Sequence, residues 1–226
     1  MPIRKIPLVK GEYYHVFNRG VDKREIFKTQ NDLYYFFKRL IDLNNDGATF
    51  TLNNKRSKSS GDITINPSST NLVSIVAYCL LPNHFHLVLK QESDNGISKF
   101  MQKLGTSYTM YFNQKYKRSG SLFQGKFKSK LIEGEFSLPV LSVYVNLNYV
   151  HHGINPKTSL VKSSIFEYLN KELGDGICNQ DEVSLIIKEI GNLEAYQDFS
   201  RNTSKAFGEN KGLIINNTSL DEVFEN

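Results

Sequence analysis

The stretch Ala77–Lys90 reads AYCLLPNHFHLVLK, and it decides the fold. A β-rich run, Leu72–Leu80, precedes a short turn containing Pro82 and Asn83, and a second run, His84–Lys90, follows the turn. Two runs of this kind, separated by a few turn residues, are typical of a β-hairpin. We therefore predict that these two segments are neighbouring antiparallel strands.

The segments on either side of this hairpin predict further strands and helices. Period-two runs predict strands, and apolar residues at helical spacing predict helices. The strands are Glu12–Asn18 and Phe123–Ile132, and the helices are Asn31–Leu43, Ile97–Tyr116 and Ser137–His152. The order β-α-β-β-α-β, followed by a helix, matches the ferredoxin-like split βαβ arrangement. We expect an α+β fold with an antiparallel sheet, helices on one face of it, the additional helix and a C-terminal extension.

The length of 226 residues is enough for one well-cored domain and an appendage. We place the main domain at residues 1–156 and an acidic, helical extension with a tail at residues 157–226. Residues from about 45 to 70 are rich in Asn, Ser, Lys and Gly. This composition predicts a variable insertion in the main domain, which is either a mobile loop or a long hairpin.

The charge of the chain is unevenly distributed. Residues 1–160 have a net charge of +11 and residues 161–226 one of −6, for a total of +5. A basic body with an acidic tail favours a polyanionic partner, although solvated surface charge gives the same count. The sequence has neither an apolar run of about 18 residues nor a signal-peptide core at its start, so we expect a cytoplasmic protein without a membrane partner.

Two histidines begin the second strand of the hairpin. Side chains at i and i+2 point to the same face of a strand, about 7 Å apart, so His84 and His86 can share one divalent cation. The alternative is that both are unrelated sheet residues. The cysteines of the chain lack metal-type spacing, which favours an open site for metal-assisted chemistry over a structural zinc site. We interpret the other histidines as a sheet residue (His15) and helix-end residues (His151, His152).

A tyrosine and an asparagine lie one turn apart on the last predicted helix of the main domain. Tyr144 and Asn148 are four residues apart, which places them about 40° from each other around the helix axis. Tyr144 lies at the boundary of the apolar stripe, so its phenol and the amide can face the same cleft. The alternative is an ordinary boundary residue of an amphipathic helix.

Basic residues are concentrated in two segments. Residues 115–132 contain no acidic residue, and aromatic residues are interleaved with the basic ones. The candidates for DNA contact are Lys115, Lys117, Arg118, Lys126, Lys128 and Lys130, together with Arg19, Lys23 and Arg24 after the first strand. Basic side chains contact phosphates and aromatic rings stack on unpaired bases. The alternative is a solvated charged face above core aromatics.

Four segments together resemble the REP-associated tyrosine transposases of the HUH superfamily. They are YYHVFNRGVDKREIF (Tyr13–Phe27), AYCLLPNHFHLVLK (Ala77–Lys90), LFQGKFKSKLIE (Leu122–Glu133) and YVNLNYVHHGI (Tyr144–Ile154). They occur in the order and spacing of that family and cover most of residues 10–156. Tyr149 departs from the pattern, since the family usually has proline after the asparagine. The segment after residue 157 matches more loosely.

The resemblance implies the chemistry of the site. It makes residues 1–156 a catalytic domain, Tyr144 a nucleophile, and His84, His86 and Asn148 ligands of Mg²⁺ or Mn²⁺. The implied activity is a single-stranded DNA endonuclease and strand transferase, which forms a 5′-phosphotyrosine intermediate on hairpin-containing DNA. The alternative function is a catalytically silent, hairpin-binding regulatory protein. Whether the protein is a monomer or a homodimer stays open.

Overall fold

The computed structural model describes residues 7–51, 62–64, 70–133, 137–170, 172, 174–209, 214–215 and 218–219. The strands are β1 (Tyr13–Arg19), β2 (Thr49–Thr51), β3 (Asp62–Thr64), β4 (Val73–Leu81), β5 (His84–Gln91), β6 (Lys128–Leu131), β7 (Lys162–Ser163), β8 (Ile214–Ile215) and β9 (Thr218–Ser219). One antiparallel sheet has the order β6-β1-β5-β4-β7. Without the edge strand β7, this is the order of a split βαβ arrangement, so the predicted ferredoxin-like core is confirmed.

The predicted hairpin of β4 and β5 is confirmed and forms the middle of the sheet. The two strands pair from Val73 opposite Gln91 to Leu81 opposite His84. All nine residues of β4, VSIVAYCLL, are buried. The nearly continuous apolar sequence of β4 follows from this position, because a strand covered on both faces needs apolar side chains on both.

The first two helices of the chain lie on one face of this sheet. The helices are α1 (Gln30–Asp42), α2 (Gly96–Lys115), α3 (Leu138–Asn146), α4 (Asn148–His151), α5 (Ile165–Leu169), α6 (Gln180–Ile190) and α7 (Leu193–Glu209). Phe36 of α1 packs on Phe85 of β5 with ring centroids 5.2 Å apart, and Tyr108 of α2 packs on Phe36 at 4.9 Å. Since successive strand residues point to opposite faces, His84 and His86 face away from α1 and α2.

The predicted helix over Ser137–His152 is wrong as a continuous element. It ends at Asn146, and Leu147, with φ −109° and ψ 17°, separates it from α4. The Leu147 amide still donates to Val143, but the Val150 amide donates to Leu147, only three residues back. This tighter turn interrupts the α-helical pattern, although the apolar spacing continues across it.

The predicted strand Phe123–Ile132 is wrong in its first half. Gly125 has φ +77°, a left-handed conformation that ends strand pairing, and regular pairing with β1 begins only at Lys128. A single bridge joins Phe123 to Gly20. The intervening residues form a loop at the edge of the sheet, which carries Lys126, whereas Lys128 and Lys130 lie on β6.

The C-terminal extension shares the core of the main domain. Its strand β7 pairs with β4, and the Tyr168 hydroxyl donates to the Val76 carbonyl of β4 at 2.8 Å. Glu182 of α6 forms an ion pair with Lys90 of β5, with 2.6 Å between Oε1 and Nζ. The helices α3, α6 and α7 pack on one another and cover part of the sheet face that carries the histidines.

Part of the predicted insertion at residues 45–70 lies outside the described residues. In the described part of the insertion, β2 pairs with β3 in antiparallel orientation. None of the helices in the described part of the chain combines the length and the apolar composition of a membrane span.

Candidate active site

The predicted histidine pair lies at the start of β5, on the sheet face opposite α1 and α2. The ring centroids of His84 and His86 are 5.1 Å apart and their planes are nearly perpendicular, at 84°. Because β1 and β4 flank β5 on its two sides, the backbone of the pair is fixed. His86 is buried and His84 is half-buried, so the pair extends from the interior towards solvent.

Each of these histidines makes a contact through its Nδ1 atom. His84 Nδ1 lies 2.6 Å from Asn83 Oδ1, which is an acceptor, so Nδ1 carries the proton and Nε2 of His84 is the basic nitrogen. His86 Nδ1 lies 2.9 Å from His15 Nε2. Burial, followed by the imidazoles of the other four histidines, lowers the pKa of His86 well below its usual range. His86 is therefore neutral at neutral pH, the state that a metal ligand requires.

All five histidines of the sequence meet at this place. The ring of His15 lies 5.1 Å from that of His86, the ring of His152 lies 4.9 Å from that of His84, and His151 stacks on Tyr144 at 5.4 Å. From the sequence, His15, His151 and His152 are interpreted only by their secondary structure, so this cluster is not predicted. No local pattern could have found it, because the pairing register of β1 with β5 brings His15 beside His86.

Tyr144 lies against the histidine pair and is covered by the C-terminal helix. Its ring is edge-on to the rings of His15 and His86, at 6.0 Å from each. On the other side it contacts His151 and the ring of Phe207 in α7, which lies 5.4 Å away. These contacts leave the side chain 5% exposed. The structure thus brings the predicted nucleophile to the predicted metal ligands, beneath a cover that α7 provides.

Asn148 occupies the first position of α4 and is fully buried. Neither atom of its amide forms a hydrogen bond with any described residue. A buried amide without partners is uncommon in folded proteins, because it loses its hydrogen bonds to water. Among the described residues, no three His, Cys, Asp or Glu side chains are grouped to hold a metal ion. By their chemistry, two imidazoles and an amide oxygen are donors that a divalent cation accepts, although Asn148 does not line the cavity described next, which His84 and His86 line.

A cavity of about 380 Å³ opens beside the histidines. His84 and His86 line it together with three of the predicted DNA-contacting residues, Arg19, Lys23 and Lys128. The cationic groups can neutralise phosphates that enter the cavity next to the imidazoles. The remaining lining residues are Phe17, Asn18, Asn83, Gln124, His152 and Ile154.

The structure separates three other predicted DNA-contacting residues from this cavity. Lys126 lines a groove of about 950 Å³ on the α2 side of the sheet. Lys115 Nζ lies 2.5 Å from the buried Asp32 carboxylate, and Arg118 donates to Asn113 and to the Ser121 carbonyl. The cationic groups of Lys115 and Arg118 therefore form interactions within the protein that stabilise the fold.

Three further predicted contacts lie near the cavity or at the surface. Lys130 follows Lys128 on the histidine face of β6, opposite His15 in the register. Arg24 and Lys117 are surface residues, and Arg24 forms an exposed ion pair with Asp22.

Comparisons with known proteins find one family that part of the chain resembles. Residues 49–148 match the family model described as "Transposase IS200 like". Among solved structures, the chain is similar to one described as the REP-associated tyrosine transposase bound to a REP hairpin. That similarity has a TM-score of 0.48 and 14% sequence identity, over 80% of this chain and 90% of that one. No curated protein matches the chain significantly.

The segment matched by the family model contains the main features of the site. It begins in β2 and ends at Asn148, so it includes His84, His86 and Tyr144. The resemblance to single-tyrosine transposases, which the sequence motifs carry, is thereby confirmed at the level of the family. Residues 49–148, less than half of the chain, are similar to the IS200-like transposases.

Proposed function

We propose that this protein is a transposase, which acts as a metal-dependent endonuclease and strand transferase on single-stranded, hairpin-containing DNA. Tyr144 acts as its nucleophile, and His84, His86 and Asn148 hold Mg²⁺ or Mn²⁺. The observation that carries the proposal is the packing of the Tyr144 ring against His86, next to a basic cavity that His84 lines. A phenol, two imidazoles and several cations at one place are the groups that phosphodiester transfer to tyrosine needs.

The reaction exchanges one phosphate ester for another. The Tyr144 Oη attacks the phosphorus atom and loses its proton, the bond from phosphorus to the 3′ oxygen breaks, and that oxygen takes up a proton. The products are a 5′-phosphotyrosine and a free 3′-hydroxyl, so a second 3′-hydroxyl can reverse the step without ATP. A bound Mg²⁺ or Mn²⁺ supplies neutralisation of the charge that develops on the phosphate oxygens.

The residues of the chain bind and orient the strand. Arg19, Lys23 and Lys128 contact the phosphates of the strand in the cavity, because their cationic groups line it with the histidines. The side chain of Phe207 covers Tyr144, so its ring has to move before Oη reaches a phosphate. The neighbouring helix α7 therefore takes part in the access of DNA to the nucleophile.

The test is the formation of a covalent protein–DNA adduct. A labelled single-stranded hairpin oligonucleotide is incubated with the full-length protein and Mn²⁺, and the adduct is resolved by denaturing electrophoresis. We expect an adduct with the wild type, none with Tyr144→Phe or with chelator, and an undiminished adduct with Tyr149→Phe, a tyrosine of the adjacent helix. An adduct with Tyr144→Phe contradicts the assignment of the nucleophile.

The second candidate function is a catalytically silent protein that binds hairpin DNA for regulation. The burial of Tyr144 beneath Phe207 favours it, because a covered phenol cannot reach a phosphate. The same assay separates the two functions. Hairpin binding by the wild type without any adduct, at all Mn²⁺ concentrations, supports the regulatory function and overturns the proposed enzyme.

A further inference from the structure

A hydrogen bond between two buried imidazoles joins β1 to the candidate metal site. His15 Nε2 lies 2.9 Å from His86 Nδ1, and the two side chains are 2% and 1% exposed. The His15 ring also stacks on Phe17, with centroids 4.9 Å apart, so its plane is fixed on both sides. The contact is therefore a permanent part of the interior of the protein.

The contact holds one proton between the two nitrogens. Whether His15 or His86 carries this proton determines whether His86 can bind a metal ion. A neutral imidazole has one N–H group and one basic nitrogen. When His15 donates, the proton of His86 is on Nε2, and His86 has no lone pair left for a metal. When His86 donates through Nδ1, its Nε2 atom carries the lone pair.

We propose that His15 is a positioning residue, which accepts the Nδ1 proton of His86 and so keeps the lone pair of His86 on Nε2. Metal-binding histidines usually donate their other N–H group to a carboxylate, a carbonyl or water. Here the His15 imidazole accepts the Nδ1 proton of His86. The Asn83 Oδ1 atom accepts that of His84, at 2.6 Å from the His84 Nδ1 atom. Both histidines then present Nε2 as a ligand. The inference deepens the proposed function, because it concerns the same metal site.

The first experiment measures the tautomer of His86 directly, in the metal-free protein without DNA. The full-length chain is labelled with ¹⁵N-histidine, and long-range ¹H–¹⁵N correlation spectra identify the protonated nitrogen of each ring. We expect a neutral His86 that is protonated on Nδ1 in the wild type. Protonation of His86 on Nε2 overturns the proposal, whether or not the protein cleaves DNA.

The second experiment compares two substitutions of His15 by calorimetric titration with Mn²⁺. His15→Gln keeps an acceptor at about the position of Nε2, and we expect an affinity within about threefold of the wild type. His15→Phe keeps the size of the ring but removes the acceptor, and we expect an affinity about 10- to 100-fold lower. Thermal unfolding checks that both variants fold.

The outcomes separate a positioning role from a structural one. If His15→Phe binds Mn²⁺ as tightly as the wild type, or if both variants lose the same affinity, His15 does not act through its acceptor. Failure of the proposed function is recognised separately, since a wild type that forms no DNA adduct leaves the tautomer and the Mn²⁺ affinities measurable.

Discussion

At the scale of single residues, the proposed function makes the histidine pair a single functional unit. His84 and His86 are proposed to hold the same ion, so the loss of either ring removes most of the function of both. We expect His84→Ala and His86→Ala each to lower the rate of adduct formation about 100-fold or more, and the double variant to lose little further. The rates are measured under single-turnover conditions. Losses that multiply in the double variant contradict a shared ion.

Asn148 offers a second test at this scale. Its amide is fully buried and has no hydrogen bond to a described residue, which the proposed ion explains. We expect Asn148→Ala to weaken Mn²⁺ binding roughly tenfold, and Asn148→Asp to preserve or tighten it, because a carboxylate is a stronger ligand for hard cations. Calorimetric titration measures both affinities. Unchanged binding by Asn148→Ala removes Asn148 from the ligand set.

At the scale of the elements, α7 covers Tyr144, the proposed nucleophile. Phe207 packs on Tyr144 and on His151, and the His151 ring also contacts Ser204 of the same helix at 3.2 Å. We expect Phe207→Ala to speed adduct formation on the order of 2- to 10-fold, because the phenol is uncovered for more of the time. Phe199→Ala, on the same helix next to Tyr196, is the matched control. Equal rates for both variants show that Phe207 does not limit access.

A buried carboxylate joins α1 to α2. Asp32 caps α1 with Thr29, and its side chain is 0% exposed while it receives hydrogen bonds from Lys115 and Tyr116. Burial raises the pKa of Asp32, but the hydrogen bonds from Lys115, Tyr116, the Lys28 amide and Tyr111 outweigh it and lower that pKa from its ordinary value. The carboxylate is therefore ionised at neutral pH, and its ionised form stabilises the fold.

This ion pair predicts a pH-dependent stability. Because the folded-state pKa of Asp32 is depressed, its contribution is complete above the unfolded pKa and is lost as the pH falls through the folded one. We expect Asp32→Asn to lower the free energy of unfolding by about 2 to 4 kcal/mol at pH 7. The difference from the wild type decreases below about pH 4. Urea titrations measure it, with Asp22→Asn in an exposed ion pair as a control that changes stability by less than about 1 kcal/mol.

At the scale of the whole molecule, the distribution of charge predicts where a DNA strand crosses the surface of the protein. Lys128 lines the histidine cavity, whereas Lys188 is an exposed residue of α6. We expect Lys128→Gln to weaken hairpin binding for every sequence and to reduce the slope of log affinity against log salt by about 1. Lys188→Gln should leave the slope unchanged. Fluorescence anisotropy at several salt concentrations measures both, and an unchanged slope for Lys128→Gln places the strand elsewhere.

Local patterns predicted most strands of the main sheet and the helices α1 and α2, and the failures of these patterns have local causes. The strands and helices around the hairpin were found within one or two residues of their ends, because period-two and helical patterns are strong in buried segments. The helix break at Leu147 was missed, since the apolar spacing continues through it. The length of β6 was overestimated, because the alternation of basic and apolar residues continues into the loop around Gly125.

The sequence by itself determined the fold class, the family motifs, the histidine pair on one strand face and the position of Tyr144 on a helix. These follow from periodicity and from short spacings, which are properties of neighbouring residues. Only the tertiary structure decided which distant residues share the site. Strand register brought His15 to His86 across 71 residues, and helix packing placed Phe207 over Tyr144. The tertiary structure also showed that Lys115 forms an ion pair with Asp32. The sequence could not show this, because charge alone does not distinguish a phosphate contact from a buried ion pair.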